Sequence, residues 1–120
     1  MPSKSSGPQR WLIDIRHNIH LAVSFVQGFD YETFEADTLR VYAVTRCLEI
    51  ISEASRRLPD DLKALHPNIA WKDIAGAGNV YRHDYEDVAA RRVWRAVKYD
   101  LLILLAAIDQ ELGRLGDKRG

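Results

Sequence analysis

At 120 residues the chain can bury one hydrophobic core but has little room for a second. Hydrophobic residues make up 47% and charged residues 28%, which excludes a disordered tail and describes a folded, soluble protein. Seventeen Lys and Arg balance seventeen Asp and Glu, so no global field draws the chain onto nucleic acid or an anionic membrane; phosphate binding needs a local basic patch.

Residues 1–10, MPSKSSGPQR, are polar, lack the apolar stretch of a signal peptide and read as a flexible tail. Leu12, Ile15, Ile19, Ala22, Val26 and Phe29 then step by three and four, which predicts a helix from about Trp11 to Gln27 that ends near Gly28. A second helix carries two seams. Leu39, Ala43, Cys47, Ile50, Ala54 and Leu58 form one, and Val41, Val44, Leu48 and Ile51 form the other. Two adjacent seams place this helix centrally in a bundle, and Pro59 stops it. The lone Cys47 lies within that pattern; it cannot form an intrachain disulfide, suits a reducing cytoplasm and reads as a small buried hydrophobe.

Pro59-Asp60-Asp61-Leu62 looks like the start of a short helix, broken at His66-Pro67-Asn68, and His66 reads as a loop residue. Trp71 to Tyr81 is a second short helical candidate, weakened by Gly76 and Gly78 at about 1 kcal/mol each. The third long helix is carried by Trp94, Val97, Leu101, Leu104, Ile108, Leu112 and Leu115. Its centre, LLILLAAI, is apolar nearly all round and implies more than one neighbour. That apolar run is far short of the ~20 residues of a membrane span. No alternating strand pattern or hairpin dipeptide occurs. The expected fold is an all-α, up-and-down bundle of three long helices plus one or two short ones over 11–116, with 117–120 as a C-terminal tail and a homodimer as the expected assembly.

Chemistry concentrates in Gly76-Ala77-Gly78-Asn79-Val80-Tyr81-Arg82-His83-Asp84-Tyr85. His83 could exchange protons near neutral pH, Arg82 could hold a phosphate, and Asp84 could orient the imidazole or cap the next helix. Alternatively, these groups could simply bond to one another and close an interhelical turn. The cations Arg91, Arg92, Arg95 and Lys98 could meet RNA phosphates or form a solvated helix face. Arg16 and His20 lie four apart and His17 and His20 three apart, so each pair can share a helix face, but two imidazoles without further ligands make a weak metal site. No Walker loop, nucleophile elbow or Cys-x-x-Cys pair is present, and neither metal nor cofactor is expected.

The run Tyr31-Glu-Thr-Phe34-Glu-Ala-Asp37, then Ala43-Val-Thr-Arg46-Cys-Leu48-Glu49-Ile-Ile51-Ser-Glu53-Ala54 and Leu58-Pro59, resembles the second helix of the HepT-like HEPN family. Trp71-Lys-Asp-Ile74-Ala75-Gly76, followed by Gly78-Asn79 and Arg82-His83-Asp84-Tyr85, resembles that family's active-site segment in order and spacing. The resemblance runs from about Trp11 to Leu115. It implies a metal-independent endoribonuclease toxin working as a dimer, with His83 as acid or base and Asn79 matching the polar residue that follows the motif arginine; Arg82, Arg91 and Arg95 are phosphate or RNA contacts by their own chemistry and not by that match. It also implies a partner, a minimal nucleotidyltransferase that transfers AMP to Tyr85 and silences the toxin. The chain departs from the family motif at positions 76–78, where an arginine is expected and Gly, Ala and Gly stand. That departure motivates a second reading: a catalytically impaired module that docks a nucleotidyltransferase or a nucleotide.

Overall fold

A computed structural model describes residues 7–76 and 86–119. Helix α1 (Gly7–Val26) starts inside the stretch read as a tail, because Pro8 falls in the first turn, where a missing N–H costs nothing. Its stripe of Leu12, Ile15, Ile19, Ala22 and Val26 is buried as the spacing requires. Gly28, at φ 82°, ends the helix in the left-handed conformation that glycine adopts without strain.

A helical turn absent from the sequence-based expectation follows, α2 (Tyr31–Ala36). Asp30 and Thr33 form a reciprocal cap: the Thr33 N–H donates to Asp30 Oδ1 at 2.9 Å, and the Asp30 N–H donates to Thr33 Oγ1 at 3.1 Å. Asp37 restarts the chain as the N-cap of α3 (Thr38–Arg56), accepting from the Arg40 N–H at 3.0 Å. The run from Tyr31 to Asp37 is thus a helix of its own, and separates from the second long one at that cap. Arg40 stitches the corner together. Its Nη1 donates to the Phe25 carbonyl at 2.8 Å, and its guanidinium lies 4.2 Å from the Phe29 ring centroid.

Of the two seams read on α3, Val41, Val44, Leu48 and Ile51 are buried throughout, with Cys47, Ala54 and Leu58 beside them. Leu39 instead stands 82% exposed, so the buried face is narrower at its N-terminal end. Burial also pushes the Cys47 thiol above its ordinary range, as suits an inert apolar filler. Helix α4 (Asp60–Ala64) starts after Pro59, and α5 occupies 71–76. The described residues therefore hold three short helices, where the sequence suggested one or two.

The third long helix is helical from Glu86. It runs as α6 (Glu86–Arg95), a π-helical turn (Ala96–Asp100) and α7 (Leu101–Arg119), and so enters the stretch 117–120 read as a tail. In the π turn the Leu101 N–H reaches back to the Ala96 carbonyl, five residues earlier, which inserts an extra residue and rotates the following stripe. α1 packs against α3 and α7, while α2 packs against α3 and α6. Trp94 joins α6 to α2, with its ring 5.2 Å from Phe34 and 6.1 Å from Tyr31. Among the described residues there is no strand, and no helix is long and apolar enough to cross a membrane.

Hydrogen bonds from the Arg40 backbone, and then from its side chain, hold the Asp37 carboxyl below its ordinary range. A depressed folded-state value stabilises the fold above the unfolded-state value, and the contribution disappears as pH falls through the folded one. Asparagine caps comparably but does not titrate. Urea midpoints of Asp37→Asn should therefore fall less steeply than those of the parent below about pH 4. Parallel slopes would show that the cap carries no pH dependence.

Candidate active site

Asn79, Arg82, His83 and Tyr85 lie outside the described residues; what the structure shows is how the chain is held on either side of them. The approach is α5. Its last carbonyls are met from α3: the buried Ser52 hydroxyl donates to the Ile74 carbonyl, and also to that of Ala75 at 3.2 Å. Arg56 Nη1 donates to the same Ala75 carbonyl at 2.5 Å. Terminal carbonyls of a helix have no partner within it, so these side chains supply what α5 lacks and fix where the chain leaves it.

At its other end α5 is anchored by Trp71, whose indole N–H lies 3.1 Å from the Lys63 carbonyl and 3.2 Å from that of His66. His66 is 6% exposed, and its Nε2 lies 2.6 Å from the Glu111 carboxylate of α7, itself 4% exposed. Arg114, one turn along α7, adds a contact to the same oxygen at 3.4 Å. The connection from α4 to α5 is thereby tied to the last helix through a buried polar bond. His66 does sit in the loop that Pro67 implies, but as an anchor. The sequence carries a signal for this: Glu111 falls three residues after Ile108, so a carboxylate stands on a buried stripe where only a partnered one is tolerated.

Beyond the undescribed stretch, α6 carries Arg91 and Arg95 four residues apart, both exposed. The Arg91 guanidinium lies 4.6 Å from the Tyr31 ring centroid, and Lys98 Nζ lies 4.8 Å from that of Trp94. A cavity of about 260 Å³ opens beside α5. Its wall is mainly apolar, with Leu48, Ile51, Ile69, Ile74 and Leu104 among the lining side chains; Asp73 and Asp100 are its charged groups, and among the described residues no cation lines it. Such a lining repels phosphate. His17 and His20 are exposed on α1, and no group of three or more potential metal ligands occurs among the described residues.

An all-helical bundle that carries a chemistry-rich segment between two anchored helices defines the class. The family model described as ribonuclease HepT-like matches residues 15–111, and the chain belongs to that family. It is 40% identical over 91 residues to a protein of Thermococcus cleftensis named a probable ribonuclease HepT, covering 76% of this chain and 83% of that one. Two proteins of Methanocaldococcus jannaschii, named provisionally as RNases, are 35% and 34% identical over 91 residues; the matches cover 76% of this chain and 78% and 75% of theirs. No solved structure matches the chain significantly.

Truncating His66 to Ala should destabilise the protein by about 1–3 kcal/mol, because the Glu111 carboxylate loses a buried partner. Replacing both His66 and Glu111 by Leu should recover much of that loss, since apolar substitutes avoid the desolvation cost. Urea unfolding at pH 7 checks both. A double variant as unstable as His66→Ala would mean that the anchor's geometry, and not its polarity, matters.

Proposed function

We propose that this protein is a metal-independent endoribonuclease of the HepT type, acting as the toxin of a pair whose antitoxin is a minimal nucleotidyltransferase. The carrying observation is the family match over 15–111, which includes the whole stretch from Asn79 to Tyr85. In the proposed reaction the RNA 2′-hydroxyl attacks the adjacent phosphorus. The O2′–P bond forms as the P–O5′ bond breaks, leaving a 2′,3′-cyclic phosphate and a 5′-hydroxyl. His83 takes the 2′-hydroxyl proton or returns one to the departing 5′-oxygen. A guanidinium, for which Arg82 is the nearest candidate in sequence, offsets charge growing on the phosphoryl oxygens, and Asn79 donates to them. Arg91 and Arg95 provide further phosphate contacts. Because the RNA itself supplies the nucleophile, no metal-bound water is required.

Tyr85 is the acceptor proposed for AMP: its phenolic oxygen would bond to the α-phosphorus of ATP as pyrophosphate leaves, and the added negative phosphate, two residues from His83, would repel the RNA backbone. The active assembly is proposed as a homodimer. Leu102 and Ile103 support this, at 52% and 53% exposed in a helix centre whose composition calls for a second neighbour. We place the protein in the cytoplasm, where its RNA and nucleotidyltransferase partners reside and a lone thiol stays reduced.

Purified protein with an unmodified Tyr85 should cleave RNA in excess EDTA, and His83→Ala should slow cleavage by about 10²–10⁴-fold. A folded, unmodified protein that leaves RNA intact would favour the docking module motivated by Gly76, Ala77 and Gly78. Changing Leu102 and Ile103 together to Lys should halve the mass measured by light scattering. An unchanged dimeric mass would place the interface elsewhere, and a monomeric parent would remove it.

A further inference from the structure

Charge on a phosphoryl group needs a cation, and the chain leaving α5 reads Gly76-Ala77-Gly78, which supplies none. One arrives from α3. Arg56 Nη1 is bonded to the Ala75 carbonyl, and its side chain stays 44% exposed. Behind it stand two more guanidinium groups. Glu53 accepts from Arg56 Nη2 at 2.5 Å through one oxygen and contacts Arg57 at 3.0 Å through the other. Bonds from Arg56, then from Arg57, hold that carboxyl below its ordinary range, so it remains a fixed brace. Arg57 in turn lies 5.5 Å from the Trp11 ring centroid, over which Arg10 sits at 4.5 Å. Three cations and one anion thus form a continuous line from the start of α1 to the end of α5, in a chain with no net charge.

We propose that Arg10, Arg57 and Arg56 form a phosphate-binding strip that carries a single RNA strand towards the residues after α5, with Arg56 holding the phosphate closest to them. The strip rests on the ribonuclease reading of that segment. Guanidinium groups suit the task because each presents five N–H donors in a planar fork, of which Arg56 spends one on Ala75 and one on Glu53. His83 lies seven residues along the chain from Gly76, no more than about 25 Å when extended, so a short oligonucleotide can span both.

The test is fluorescence anisotropy with a 2′-O-methyl oligoribonucleotide, which binds but lacks the attacking hydroxyl. For single strands, log affinity falls with log salt by about 0.7 per phosphate neutralised. Arg56→Gln and Arg57→Gln should each reduce that slope by about 0.7 and weaken binding about five-fold at 0.1 M salt. Arg56→Lys should keep the slope, because it keeps the charge. Arg46→Gln, ten residues and about 15 Å back along α3, should bind as the parent does. Arg57→Gln leaves the Ala75 bond in place and decides the matter if Arg56→Gln does not fold. A parent that fails to bind at low salt, or glutamine variants with the parent's affinity and slope, would overturn the strip. Binding that depends on Arg56 and Arg57 without RNA cleavage would uphold the strip and sink the ribonuclease reading. Cleavage that ignores both substitutions would do the reverse.

Discussion

The carbonyls of Ile74 and Ala75 close a helix of one and a half turns, and an isolated helix that short does not hold in water. Its stability comes from outside. The Ser52 hydroxyl and the Arg56 guanidinium, both on α3, take the carbonyls that α5 cannot satisfy itself, and Trp71 anchors the opposite end to the carbonyls of Lys63 and His66. Since α3 packs along α1 at the centre of the bundle, the exit of α5 inherits its position from the core. The direction in which the chain sets off towards His83 is therefore a property of two side chains on another helix. Bundles commonly build their sites in this way, with rigid helices setting the geometry and a connecting segment bearing the chemistry.

The amphipathic stripes of α1 and α7, the stop at Pro59 and the break at Pro67 were legible from periodicity and from the rigid ring of proline. What escaped such reading has a common physical origin. Helix α2 is six residues long, too short for a 3.6-residue period to declare itself, and it exists because Asp30 and Thr33 cap each other. The π turn is a one-residue phase slip, and the buried Val93, Val97, Leu101, Leu104 and Ile108 keep steps of three and four across it, so spacing alone does not reveal it. Leu39 satisfied the spacing of a seam yet stands in solvent, because spacing gives a face and not the extent of its neighbour. The His66–Glu111 bond joins residues 45 apart, and no local pattern encodes a partner at that distance.

The candidate site divides along the same line. Histidine, arginine, amide and phenol gathered in ten residues are a sequence signal, and family membership strengthens it. The cations that α3 brings to the end of α5 are not such a signal. Arg56 and Arg57 close a helix in a chain where cations and anions cancel, and by sequence they belong to an ordinary solvated C-terminus. Only the fold sets Arg56 against Ala75 and Arg57 beside Trp11.

Stability alone does not account for that arrangement. Exposed ion pairs contribute little, with medians of about 0–1 kcal/mol, and ordering long arginine side chains carries an entropic cost. One carboxylate bracing two guanidinium groups leaves a net positive charge behind, which a purely structural surface gains nothing by concentrating. The cost is met where a polyanion supplies the missing charge. A neutral protein also gains selectivity by gathering cations into local patches, since it has no net charge to attract nucleic acid over its whole surface. The strip would then align a strand, and the segment after α5 would act on it, with Arg56 as the residue common to both tasks.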